Sequence, residues 1–175
     1  MAPSAVSVGT GRTFLSEIGA SDRHGIAAIY PHPSYDREMV TNDIALLRLT
    51  RPIPGPVATP LPWLEDPLIP LDGTPILKTG WGSTEHVDTG PWPDGLRAVT
   101  VNVLGDPGYD FCSTDTEFES STRICTGSAA HKGACSGDSG GPNVIEVAGF
   151  WYLAGVTSYG MTDDSDRCAD DVDVV

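Results

Sequence analysis

A chain of 175 residues suffices for one well-cored domain or two small ones, and its 20 glycines and 15 prolines, spread among short apolar runs, favour strands and turns over helices. Its formal charge of −14, from 24 acidic and 10 basic residues with no Lys/Arg cluster, argues against nucleic acid or an anionic membrane surface as partner and fits a role in solubility. No apolar run approaches the ~18 residues that span a bilayer.

In chain order, Met1-Ala2-Pro3-Ser4 lacks the basic and long apolar stretches of a signal peptide. Strand candidates follow at Ala5 to Val8, Ile26 to Ile29 and Ile44 to Leu49. Eight of the fifteen prolines then fall between Arg51 and Pro75. Proline has a fixed φ and no amide donor, so this run is no central strand but an extended linker. The expected division is a first β unit over 1–62, a linker over 63–75 and a second β unit over 76–175. Strands of the second unit are expected at Ile76 to Trp81, Ala98 to Leu104, Val144 to Val147 and Phe150 to Thr157. Val99, Val101 and Val103 alternate with Thr100 and Asn102, the period-two pattern of a half-buried strand. Asp106 to Phe111 is read as a single helical turn. The Asp-rich stretch from Thr162 to Asp173 fails the spacing of a calcium loop and reads as a solvated acidic loop. Cys112, Cys125, Cys135 and Cys168 are even in number and lack the C-x-x-C spacing of metal or redox sites. Disulfides are favoured over free thiols, with three pairings open.

The chemistry concentrates in Gly137-Asp138-Ser139-Gly140-Gly141-Pro142, preceded by Cys135. A serine nucleophile needs its own N–H and a neighbouring N–H turned toward the oxygen of the carbonyl it attacks. A glycine at 137 allows that turn without a Cβ clash. A bare G-x-S-x-G would more often be a Gly-rich turn that happens to hold a serine. It also fits the nucleophile elbow of α/β-hydrolases, in which the histidine follows the serine and a helix follows the elbow. Here His24, His32, His86 and His131 all precede Ser139, and Pro142 leads into strand-like sequence, so an esterase of that class is disfavoured.

The six-residue core closely resembles the nucleophile loop of the trypsin/chymotrypsin family of serine proteases. Asn42-Asp43-Ile44-Ala45-Leu46-Leu47-Arg48-Leu49 resembles the segment that carries that family's triad aspartate, and Asp43 stands 96 residues before Ser139. Alone, Asp43 would read as a strand-start cap; the pairing with Ser139 favours the triad role. The apolar strand that follows is expected to bury the carboxylate, so that it orients an imidazole. Tyr30-Pro31-His32-Pro33-Ser34-Tyr35 and Thr79-Gly80-Trp81-Gly82 resemble further family segments, and Ser158-Tyr159-Gly160 resembles the strand that lines the specificity pocket.

The resemblance implies an all-β, chymotrypsin-like double β-barrel whose first barrel is incomplete. It implies an endopeptidase working by acyl transfer without metal or cofactor: Ser139 attacks, and the amides of Gly137 and Ser139 form the oxyanion hole. It implies disulfides Cys112–Cys125 and Cys135–Cys168, secretion, protein or peptide substrates, and protein protease inhibitors as further partners. Gly133, six residues before the nucleophile, and Ala134 give a pocket floor without an acid, which with Gly160 at its mouth favours an apolar P1 side chain. Asp173 aligns with the opposite wall, where it would attract a basic one.

The family's histidine lies in a Thr-Ala-Ala-His-Cys segment roughly 45 residues before the triad aspartate. No such segment occurs in this sequence, nor does an Ile-Val-Gly-Gly start, whose amino group pairs in the family with the residue matching Asp138. None of the four histidines has an argument for reaching Ser139, and all are read as loop or surface residues. The chain as given is therefore expected to show almost no peptidase activity and, with open sheet edges, to associate. The alternative is a protease-like binding protein that has lost its base.

Overall fold

The computed structural model describes residues 2–55, 57–65, 72–85, 89–104, 122–128, 132–161 and 172–174, with Met161 and residues 172–174 by main chain only. Cys112, His86, His131, Cys168 and the expected turn at 106–111 lie outside these residues. The chain divides into two compact units, Met1–Pro60 and Leu61–Val175.

The first unit holds three antiparallel strands: β1 (Ser7–Gly9), β2 (Arg23–Pro31) and β3 (Ala45–Leu49), in the order β1-β2-β3. Single-turn 3₁₀ helices at Pro3–Ala5, Leu15–Glu17 and Ala20–Asp22 fill the connections. Arg12 Nε donates to Asp22 Oδ2 at 3.0 Å, and Gly19 N–H donates to the same carboxylate at 3.1 Å. Ile26 on the central strand is buried. On β3, the neighbours Leu46 and Leu47 point to opposite faces, yet both are exposed, at 71% and 44%. The Ala-Leu-Leu-Arg-Leu strand therefore carries exposed leucines on both faces.

The second unit is one antiparallel sheet: β4 (Pro75–Gly80), β5 (Arg97–Leu104), β6 (Cys125–Gly127), β7 (Pro142–Val147), β8 (Phe150–Val156), β9 (Tyr159–Met161) and β10 (Val172–Val174). Its order is β8-β7-β4-β5-β6-β10-β9. β7 and β8 join through Ala148 and Gly149, both at positive φ (52° and 84°), the two-residue turn whose twist suits a hairpin. Ile76, Val101, Val103 and Ile145 form the core, with Leu64, Val99, Tyr152 and Ala154 packed on it. Each fully buried aliphatic side chain contributes about 1.5–3 kcal/mol. The alternation read on β5 holds: Val101 and Val103 are buried, Thr100 and Asn102 exposed. Leu64 N–H donates to Leu153 O and Leu153 N–H to Pro62 O, so the proline-rich chain joins this unit from Leu61 onward. The molecule is all-β, of the chymotrypsin-like class.

Candidate active site

The loop from Cys135 to Gly141 is shaped by the carboxylate of Asp138. Its Oδ1 accepts from Gly82 N–H at 2.8 Å and its Oδ2 from Cys135 N–H at 3.0 Å. Hydrogen bonds to an ionised acceptor are about twice as strong as neutral ones. The close approach depends on two glycines of the Thr79-Gly80-Trp81-Gly82 segment. A Cβ on Gly82 would lie 2.5 Å from Asp138 Cγ, and one on Gly80 would overlap Asp138 Oδ1.

The main chain completes the frame. Asp138 N–H donates to Cys135 O (2.8 Å), Gly141 N–H to Asp138 O (2.8 Å) and Gly140 N–H to Thr157 O (2.7 Å). Thr157 N–H returns to Gly141 O (2.9 Å), and Ser83 N–H donates to Ser136 O (2.9 Å). Fully buried Asn143 ties the loop's exit to β8's end through Nδ2 to Thr157 Oγ1 at 3.0 Å. Gly137 has φ +94°, and a Cβ there would lie 2.9 Å from the Trp92 ring and 3.2 Å from Gly82 Cα. Both facts require glycine.

The result is an exposed Ser139 in a fixed turn. Among the described residues its hydroxyl makes no hydrogen bond, and the amides of Gly137 and Ser139 donate to no protein group.

Asp43 belongs to the first unit, at the end of a loop that ties itself together. His32 N–H donates to Ile44 O, and Asp36 and Thr41 exchange main-chain hydrogen bonds. Asp36 Oδ1 accepts from Glu38 and Met39 amides, and Asn42 Nδ2 donates to Ser34 O. Asn42 sits at φ 53°, in the left-handed region that asparagine tolerates. Asp43 itself is exposed, contrary to the burial expected from the strand after it. The reason is that Ile44, Leu46 and Leu47 are themselves uncovered, at 50%, 71% and 44% exposure. His32 is used locally, its Nδ1 accepting from Ser34 N–H, and His24 Nε2 lies 2.8 Å from Thr10 Oγ1.

Gly133 and Ala134 line a cavity together with Asp138 and Thr157. Main-chain pairing sets Asp173 opposite both Gly160 of β9 and Thr126 of β6. Tyr159 is fastened by buried Arg123, whose Nη1 donates to Tyr159 Oη at 3.1 Å with the guanidinium 5.6 Å from the ring centre. Cys125 and Cys135 are in the disulfide form, and no free thiol occurs among the described residues.

Gly80 and Gly82 as spacers, Trp92 against Gly137, and the Asn143–Thr157 and Arg123–Tyr159 pairs were missed by sequence reasoning. Only the paired glycines around Trp81 carried a local signal, since two glycines two residues apart announce a close approach.

An antiparallel all-β molecule with a serine in a Gly-rich loop pinned by its own aspartate belongs to the class of serine-protease-like β folds. The sequence model of the trypsin family matches residues 3–172, and the chain belongs to that family of serine proteases. It is 32% identical to trypsin-1 of Astacus astacus over 166 residues, covering 90% of this chain and 66% of that protein. It is 33% identical to phenoloxidase-activating factor 3 of Holotrichia diomphalia over 150 residues, 78% of this chain and 40% of the other. It is 27% identical over 142 residues to an inactive CLIP domain-containing serine protease A3 of Aedes aegypti, 78% of this chain and 30% of the other. The chain thus spans less than two thirds of the length of these relatives. Among the described residues, no helix is long and apolar enough to cross a membrane.

Proposed function

We propose that the protein is a secreted serine endopeptidase cleaving protein or peptide substrates by acyl transfer. The observation that carries this reading is the exposed Ser139 hydroxyl, flanked by the undonated amides of Gly137 and Ser139 in a loop locked by Asp138. In this reading Ser139 Oγ attacks the scissile carbonyl, and its proton passes to an imidazole oriented by Asp43. The two amides hold the developing oxyanion, an interaction class whose loss costs about 10²–10³ in rate per donor. The imidazole then protonates the leaving amine, and water repeats the sequence on the acyl-enzyme. No metal or cofactor is needed.

Gly133, Ala134, Ser158, Tyr159 and Gly160 form the primary pocket, which takes an apolar P1 side chain. Asp173, paired through its main chain with Gly160, supplies the wall position that would extend this to a basic one. Cys112–Cys125 and Cys135–Cys168 close the loops around the pocket, each contributing about 3 kcal/mol on chain-entropy grounds. Protein protease inhibitors are further partners of this surface.

The sequence contains no Thr-Ala-Ala-His-Cys segment, so the base is tested directly. The chain alone and a chimera carrying such a segment upstream are treated with a fluorophosphonate and a chromogenic ester. Slow labelling of the chain, fast labelling and turnover by the chimera, and loss of both with S139A support the reading. A folded chimera that neither labels nor turns over refutes it. The second reading, a protease-like binding protein, is favoured by the relative named inactive; a chimera that binds protein inhibitors without turnover would establish it.

A further inference from the structure

Ile145 of β7 and its cross-strand partner Tyr152 of β8 lie on the core side of the second sheet. Their neighbours Glu146 and Trp151, also paired, therefore lie on the other side, together with Leu77 of β4 and Thr100 of β5. Beside the β7–β8 turn this side opens into a cavity of about 470 Å³, lined by Pro75, Leu77, Thr100, Glu146, Ala148 and Trp151 among others. That volume is in the range of small-molecule sites. The cavity shares no lining residue with the nucleophile loop or the primary pocket. Glu146 stands four residues along β7 from Pro142, about 13 Å at about 3.3 Å per residue.

Among the described residues Glu146 is the one charged group lining this space, and its carboxylate has no hydrogen-bond or ion-pair partner. The Trp151 indole likewise makes no hydrogen bond among them and is 44% exposed. Opposed residues of antiparallel strands have Cβ atoms about 4.5–5.5 Å apart, so one cation can meet this carboxylate and this ring together. Indole is the best aromatic partner for a cation. Trp63, 70% exposed and bridged to Leu153 on the same side, extends the aromatic surface. A net charge of −14 favours the approach of cations. The type of cation follows from the walls. A metal ion is disfavoured, because it needs several oxygen ligands where a single carboxylate stands. A primary ammonium carries three donors that seek acceptors, and Pro75, Leu77 and Ala148 offer it apolar surface instead. A quaternary ammonium donates no hydrogen bond, and its carbon shell suits those walls.

We infer that this cavity binds a small quaternary ammonium compound, held between the Glu146 carboxylate and the Trp151 indole. Binding is read without turnover, so the result stands apart from the protease reading. The test is a ¹⁵N NMR titration of the 175-residue chain with choline. Ethanolamine, glucose and dimethylbutanol, the uncharged carbon counterpart of choline, are the comparison probes. Expected are saturable shifts at the Trp151 indole N–H, Ala148 and Thr100 with choline, while Gly137 and Ser139 stay unmoved. Binding should weaken about threefold or more in E146Q and in W151L, which remove the ion pair and the cation–π contact in turn. Both substitutions are at exposed positions, and a melt matching the parent verifies the fold; if W151L melts lower, E146Q decides alone. Absence of saturation, unchanged affinity in folded E146Q, or binding of ethanolamine, glucose or dimethylbutanol as tight as that of choline overturns the site.

Discussion

Gly82→Ala tests how the nucleophile loop is held. The added methyl would sit 2.5 Å from Asp138 Cγ and Oδ2 and 2.6 Å from Oδ1, where ordinary contact begins at 3.4 Å. The carboxylate must withdraw by about 0.9 Å, which stretches the 2.8 Å bond from Gly82 N–H beyond hydrogen-bond range. Gly82 has no positive φ, so alanine adds no backbone strain and the whole cost comes from the displaced carboxylate. Loss of one charge-assisted hydrogen bond costs about 1.5–3 kcal/mol. At about 4 °C per kcal/mol for a unit of this size, the midpoint should fall by about 6–12 °C. Gly149→Ala is the control: φ is +84° with nothing within 4 Å, so only the left-handed penalty of about 1–2 kcal/mol applies. Thermal and urea unfolding measure both variants, and ¹⁵N spectra follow Gly137 and Ser139. A double-mutant cycle with Asp138→Ala decides the cause, because the methyl should cost almost nothing once the carboxylate is gone. If G82A costs as much in the Asp138→Ala background as in the parent, the anchoring role of Asp138 is wrong.

Thr157→Val removes the 3.0 Å acceptor of fully buried Asn143 Nδ2. Only the longer 3.5 Å bond to Gly141 O then remains for that amide; a buried donor short of a partner costs about 1–3 kcal/mol, and urea unfolding should show a loss up to that size. Asp22 is held below the usual carboxylate range, first by its hydrogen bond from Arg12 and then by Gly19 N–H. A depressed folded pKa stabilises above the unfolded pKa and is lost as pH falls through the folded one. D22N should therefore melt lower than the parent at neutral pH, with the gap closing in acid; a gap independent of pH would contradict the pairing. Leu46→Lys replaces a side chain 71% exposed on an open edge strand. It should reduce self-association in sedimentation without lowering the midpoint.

Much of this molecule was legible because it is written in short segments. The valines of β5 announce their face by alternation, and the expected strands beginning at Ile26, Ile76, Ala98, Val144 and Phe150 start inside observed strands, while the one expected from Ile44 starts one residue before β3. The nucleophile loop was legible because glycine is required there by chemistry that local sequence records. β6 and β10 were not, since three-residue strands carry no periodicity and are fixed by pairing across long separations; β9 was marked only by the resemblance of Ser158-Tyr159-Gly160. The exposure of Asp43 was also illegible. Burial of an acid depends on what covers the following strand, and an apolar Ile-Ala-Leu-Leu run specifies a need for cover without supplying it.

The loop's sequence carries a further regularity that becomes visible only with its hydrogen bonds. Amides must find partners, and those of Asp138, Gly140 and Gly141 are spent on protein carbonyls. Those on either side of Asp138, at Gly137 and Ser139, are not, among the described residues. Both residues are exposed, and an amide open to solvent can bond water, so leaving them unspent costs little in stability. It does require a backbone that aims them away from every nearby carbonyl, and Asp138 imposes that backbone by reaching back to the amides of Gly82 and Cys135. The residue between the two free donors therefore does its work by turning inward. The Gly-Asp-Ser order follows: a residue that turns without strain, a carboxylate that anchors, and a hydroxyl left on the outside.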